Sequence, residues 1–563
     1  MYEFVSRASA ENALGELIPL FPGRYGLEPS LREEIETAGS QLGEPVRLAV
    51  AGFIKCGKST LLNGLLGRHI AATGMLETTF KVYELRFGRP EEILVVRGDQ
   101  FGHAGVERYE LARLAELSVR DEAHLDRLRR VSRIVVQLDE PALRHLTLID
   151  TPGLGSVYGE DSAEAERVLL GAVDDATVDV IRRAGHTVDD IHRTSADETV
   201  RADAMFYVLK RGLAQYDSAV LQSFLSGDEM HGGTNPLRTV GVLNQCDLDW
   251  SAENADDAGI HPMDYNPLRQ VGIPAIERFL GRDGQVSRLF HTVLPTAGLV
   301  AAGAQCLDEE RYGDLVELAR VPPETIIKQL SSNDRFRNDA PAGSAIDASR
   351  RARLADELGL WGVLLAYRYV RDGCSLAEIR QHLETDSGVA ALRQLVDEHF
   401  ARHSYLMKLS SVLANLRQQA AIFRNSLMRP VGQPDRDRLD HLFQTLDRIE
   451  QSETGFAEIE VRRAHHAGEL LFTPEDVSHM TRLTGAHGRS CSERLGRSAA
   501  WLVNLSELDG EAVAEIAYWR ARRDDPHYDA ATRRAAGILY DLAEETGRRV
   551  RKSLRMLSWA PDL

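Results

Sequence analysis

The sequence predicts an α/β nucleotide-binding domain, a mostly parallel sheet with helices on both faces, followed by an extended all-α helical bundle. Three observations predict it. The stretch GFIKCGKST, from Gly52 to Thr60, fits the phosphate-binding pattern G-x-x-x-x-G-K-[ST]. The apolar run VRLAVAG leads into it, and TLLNGLLG follows with apolar residues at helical spacing, so strand, glycine loop and helix stand in the required order. Beyond residue 300, about 260 residues read as nearly all helix.

Each part of that loop has a physical reason. Gly52 and Gly57 permit backbone angles that bring several N–H groups, with those of Lys55 and Cys56, around a phosphate. The helix N-terminus at Ser59 and Thr60 adds partial positive charge. Lys58 is expected to reach the outer phosphates, and the Ser59 hydroxyl to hold Mg²⁺.

At 563 residues the chain calls for two or three domains. A formal net charge of −18 argues against broad nucleic-acid binding, so no nucleic-acid partner is expected. Seven of the 67 basic residues are lysine, a usage that fits a GC-rich genome, and two of them, Lys55 and Lys58, lie in the loop. Five scattered cysteines, without a C-x-x-C pair, suit a reducing cytoplasm and offer no zinc site. We expect no signal peptide, because the N-terminus lacks an apolar core, and no membrane span, because no run approaches 18 apolar residues. LWGVLLAY, Leu360–Tyr367, reads as helix core.

Residues 1–44 read as two helices, Ala10–Leu20 and Ser30–Gln41, the second opened by a capping box of Ser30 and Glu33. Both are expected to pack on the helical bundle. The nucleotide domain is placed at 45–300. After the P-loop helix, Glu77, Thr78 and Thr79 precede an alternating strand that ends near Gly88. Thr79, with Thr78 next in order, is the expected switch threonine for the Mg²⁺ shell and the attacking water. EILVVRG reads as a strand and Val106–Arg130 as a charged helical insertion. LTLID then runs into Asp150-Thr151-Pro152-Gly153. An acidic residue ending a buried strand beside the P-loop strand orders a metal-bound water, and Gly153 can place its N–H on a terminal phosphate. The next residue is Leu154, so no glutamine orients the attacking water. A potassium ion, a backbone carbonyl or a group from a second subunit must do so.

Glu160–Thr199 and Gly212–Leu225 read as helical, with the strand ADAMFYVLK between them. TVGVL leads to Asn244-Gln245-Cys246-Asp247, which is similar to the guanine motif N-K-x-D with glutamine in place of lysine. Asp247 can accept from the guanine N1–H and exocyclic amine, a pair of donors that adenine lacks. Asn244 would tie this loop to the P-loop, and Gln245 can lay its stem over the base. HTVLP is the last strand, and Thr296-Ala297-Gly298 the loop beside the base. These motifs together describe a P-loop GTPase domain using GTP and yielding GDP. Two helical segments follow, 301–430 and 431–563, parted by RPVGQPDRDR. Within them Ala301–Leu318 reads as one helix, Ser331–Arg350 as a loop, and turns fall near Thr473, Gly485, Asp509 and Pro526. The basic stretch Gly547–Trp559 reads first as the last bundle helix with a solvated face, and second as a helix for an anionic membrane surface.

With GFIKCGKST, GMLETTFKVYELRFG, DTPG and the helical pattern Leu354–Gln418 in order, the chain resembles the bacterial dynamin-like proteins, large GTPases of the dynamin superfamily, and among them the actinobacterial members. The resemblance implies a GTPase head on a helical neck and trunk. It also implies a homodimer through the head or pairing with a second dynamin-like protein, and peripheral binding and remodelling of the inner face of the cell membrane from the cytoplasm. Lys58, Ser59, Thr79, Asp150 and Asp247 take the family's roles at matching positions. Lys55 stands where eukaryotic dynamins carry a serine, and Gln245 departs from the usual lysine. Two other readings compete: a GTP-gated scaffold that hydrolyses little and remodels nothing, and a P-loop ATPase whose helices engage another protein.

Overall fold

The computed structural model describes residues 2–22, 28–52, 56–68, 70, 82–98, 104–115, 131–150, 202–209, 238–282, 290–339, 346–401, 404–426, 433–452, 454–466, 469–485, 490–497 and 505–558. The expected helices at Glu160–Thr199 and Gly212–Leu225 lie outside them. The chain divides into two compact units, residues 44–407 and residues 1–43 with 408–563. The unit that carries the sheet thus runs past residue 300, where the sequence reading closes the nucleotide domain.

Nine strands among the described residues form one sheet: β1 (Val46–Gly52), β2 (Val82–Phe87), β3 (Glu92–Gly98), β4 (Ala104–Glu110), β5 (Val131–Leu138), β6 (Leu146–Asp150), β7 (Ala204–Leu209), β8 (Thr239–Leu243) and β9 (Thr292–Pro295). Their order is β4-β3-β5-β2-β6-β1-β7-β8-β9. The five strands from β6 to β9 are mutually parallel, and β2 runs antiparallel to β6. Parallel strands covered on both faces must be apolar throughout. β7 obeys this by alternation: Ala204, Phe206 and Val208 enter one core, Met205, Tyr207 and Leu209 the other. The first core holds the P-loop helix Lys58–Leu66 and Phe400, whose ring meets Phe206 edge-on at 5.5 Å. The second takes in the helices Gly298–Cys306, Glu309–Leu318, Ala348–Arg371 and Leu376–Asp386.

Several local expectations need correction. Residues 104–110 form β4, an edge strand paired antiparallel with β3, where a charged helix was expected. The sequence AGVERYE is polar because it faces water at the sheet edge, and that polarity hides its extended pattern. Residues 301–318 are two helices, parted at Asp308, whose side chain accepts from the Arg311 N–H. The stretch 331–350 contains a short helix, Asn333–Asn338, that buries Phe336.

In the other unit, helix Glu28–Gln41 starts two residues before Ser30, so Ser30 and Glu33 form no capping box. Asp509 lies inside helix Leu505–Arg523 and marks no turn. Arg438 bonds the Glu28 carboxylate at 2.7 Å and the Leu20 carbonyl at 2.9 Å. Phe21 packs edge-on against Phe423. Helix Ala530–Ser558 buries Ala535, Leu539, Leu542 and Val550, spaced for one face, and turns Arg548, Lys552 and Arg555 outward. No helix among the described residues is long and apolar enough to cross a membrane.

Candidate nucleotide site

The site lies at the carboxyl ends of β1, β6, β8 and β9, where open parallel sheets bind ligands. Register sets its geometry. Val50 of β1 stands opposite Asp150 of β6, and Leu243 of β8 opposite Leu209 and Pro295. The loops after these strands therefore converge.

β1 ends at Gly52, where φ is 149° and a Cβ would lie 2.4 Å from the Val208 carbonyl oxygen. Gly57 caps the P-loop helix at φ 82°, and a Cβ there would lie 2.7 Å from Asn244 Nδ2. No side chain fits either place. Lys58 Nζ donates to the Gly52 carbonyl at 3.2 Å. Thr60 lies in the first turn of the helix, half-buried. Cys56 is buried, and burial pushes its thiol up, with Lys58 opposing.

Ser59 Oγ lies 3.5 Å from Asp150 Oδ2. Both residues are buried, and Asp150 Oδ1 has no hydrogen-bond partner among the described residues. Burial pushes the Asp150 carboxyl up to about 7, against the pull of Lys58 and Ser59. A hydroxyl beside an under-satisfied buried carboxylate is an oxygen donor set that suits a hard divalent cation.

Asn244 joins the two halves. Its Nδ2 donates to the Cys56 and Gly57 carbonyls at 3.0 and 3.2 Å. Its Oδ1 accepts from Thr296 Oγ1 at 3.1 Å and from the Gly298 N–H at 3.0 Å. One amide thereby ties the P-loop to the loop after β9. Gln245 adopts a left-handed backbone, φ 64°, uncommon for a side-chain-bearing residue and usual at functional turns. Asp247 is buried in the short turn Cys246–Asp249, and the Cys246 N–H donates to the Thr296 carbonyl at 3.1 Å. Thr296 and Ala297 are fully buried. Lys55, Thr78, Thr79 and Gly153 lie outside the described residues.

The structure adds Arg393, which no local pattern announces: it reaches the last carbonyls of the P-loop helix, Leu65 at 2.7 Å and Gly64, from a helix 328 residues further on.

Fold and site together define a P-loop nucleotide-binding protein. Residues 48–194 match the dynamin family model. The chain is 26% identical over 517 residues to isoniazid-induced protein IniC of Mycobacterium tuberculosis, covering 91% of this chain and 92% of that protein. It is 29% identical over 138 residues to dynamin-like protein 2 of Campylobacter jejuni, covering 24% of this chain and 21% of that one. A solved structure described as an oligomerised bacterial dynamin pair, with a mechanism for long-range sensing and tethering of membranes, aligns at a TM-score of 0.28 and 11% identity, over 99% of this chain and 78% of its own. Residues 48–194 thus carry a dynamin-family GTPase domain, whose class of reaction is GTP hydrolysis, and over most of its length the chain is similar to a mycobacterial protein.

Proposed function

We propose that the protein binds and hydrolyses GTP with Mg²⁺ and couples nucleotide state to self-association and to membrane binding and remodelling. The observation that carries the chemistry is the corner formed by Lys58, Ser59 and Asp150, with the unpartnered Asp150 Oδ1. In this reading Ser59, Asp150 and Thr79 hold Mg²⁺, which when bound would neutralise charge on the terminal phosphates. Lys58 and the backbone from Lys55 to Ser59 bind those phosphates, and Gly153 adds its N–H. Asn244 holds the base loops against the P-loop, while Asp247 reads guanine and Gln245, Thr296 and Ala297 flank it. Chemistry resides in residues 45–300, and the helices of 301–430 and 431–563, with 1–44, carry the response.

Self-association through the head supplies what Leu154 cannot, a group that orients the attacking water. The membrane part of the reading, on the inner face of the cell membrane, rests on the likeness to the dynamin family.

GTP turnover measured against protein concentration, with and without anionic liposomes, tests the proposal. Specific activity is expected to rise with both, and Lys58→Ala to remove at least about 100-fold of it. A flat, slow rate that still depends on Lys58 overturns the coupling to self-association and leaves a GTP-gated scaffold.

A further inference from the structure

The loops assigned to the base are held from outside the sheet. Helix Ala348–Arg371 is broken at Gly359, where φ is 69° and ψ 168°, a region that only glycine adopts readily. The break runs the backbone past Asp247. A Cβ at Gly359 would lie 3.4 Å from Asp247 Oδ2 and 3.3 Å from Leu299 Cδ2. The kink is anchored on both sides. Leu358 and Trp361 are buried, and Glu357 takes a two-pronged ion pair from Arg311, at 2.6 and 2.7 Å.

A second support meets the other base loop. The Ala297 N–H donates to the Ser387 carbonyl at 2.8 Å. Gly388, at φ 76°, lies so close that a Cβ would come within 2.4 Å of the Pro295 carbonyl oxygen. Two helical segments, more than 50 residues beyond the last strand, thus meet the turn that carries Asp247 and the loop that carries Thr296 and Ala297.

We propose that Gly359 and the Ser387–Gly388 turn are positioning residues for base recognition. They hold the Asp247 carboxylate where it meets the N1–H and 2-amino group of guanine, so the helical segment helps to set nucleotide selectivity. This rests on the reading of Asp247 as the base contact, and the experiment separates the two.

Dissociation constants for GDP and IDP are measured on the full-length protein. Inosine lacks the 2-amino group, so the GDP-to-IDP ratio reports the position of the carboxylate and not general stability. The unaltered protein is expected to favour GDP by at least about tenfold, the worth of one hydrogen bond to a charged group. Gly359→Ala is expected to bring the ratio within about threefold, because the kink must shift. Gly373→Ala is the control: it too adds a Cβ at a positive φ, 85°, but there the Cβ meets no atom within 4 Å, so the ratio holds. Glu357→Gln loosens the anchor without adding an atom, is expected to lower the ratio as well, and serves if Gly359→Ala does not fold. An unchanged ratio in a folded Gly359→Ala, or failing that in Glu357→Gln, overturns the proposal. Asp247→Asn tests the underlying reading: it is expected to abolish GDP preference and admit xanthosine diphosphate, and if it does neither, the base contact itself is wrong.

Discussion

Four residues converge on Asp476. Tyr518 and Tyr528 donate their hydroxyls to it at 2.7 and 2.6 Å, Arg522 bonds its Oδ1, and the Thr473 N–H donates at 2.9 Å. The Arg522 guanidinium also lies 3.4 Å over the Tyr518 ring. Burial alone would push this carboxyl up, but the donors from Tyr528, Arg522, Tyr518 and Thr473 outweigh it and hold the group well below the usual carboxylate range. A depressed folded value means stability that is fully present above the unfolded value, near pH 4, and lost as pH falls toward the folded one. Asp476→Asn is expected to cost about 3–5 kcal/mol, because a fully buried carboxylate on which these donors converge loses its charge and half-buried Arg522 loses its partner. Urea titrations at pH 7 and pH 3 check both statements: the deficit of the variant should shrink only in part at pH 3, because the folded carboxylate is still ionised there while the unfolded one is largely protonated. Nothing in the sequence around Asp476 marks it beyond its place in the first turn after Thr473, since its partners are 42 to 52 residues away.

Among elements, the P-loop helix opens on the residues assigned to phosphate and has its C-terminus tied down. Arg393 supplies a cation to its last carbonyls, where the helix dipole is negative, and is itself paired with Glu384 at 2.9 Å. Arg393→Ala should lower stability by about 1–3 kcal/mol, read by denaturant unfolding, since the carbonyls it bonds are left without a charged donor. Arg393→Lys should recover only part of this, because an ammonium cannot bridge carbonyl and carboxylate as a planar fork does. The elements themselves were unevenly legible. β1, β6, β7 and β8 stand out as apolar runs because both faces are covered. β4 does not, because an edge strand with charged side chains shows the same composition as a solvated helix. The glycine at 359 sits inside an otherwise unbroken helical pattern, and a lone glycine there reads as tolerated.

For the whole molecule, the division into residues 44–407 and residues 1–43 with 408–563 has a thermodynamic consequence. Each unit has its own apolar clusters, so calorimetry should resolve two transitions. GDP at about 100 times its dissociation constant should stabilise only the unit with the sheet, by about 2.7 kcal/mol. One transition shifting as a whole would contradict this.

The sequence by itself determined the nucleotide half in outline. The P-loop, the acidic end of β6 and the Asn244–Asp247 turn each fit within a few consecutive residues, because backbone curvature and strand burial act locally. Tertiary structure alone decided the rest. Asn244 meets Cys56 across 188 residues, and Arg438 meets Glu28 across 410. The close approach of Gly359 to Asp247 is likewise made by packing. Contacts of that span leave no periodicity in the chain, since they depend on which buried faces meet and not on the order in which residues are joined.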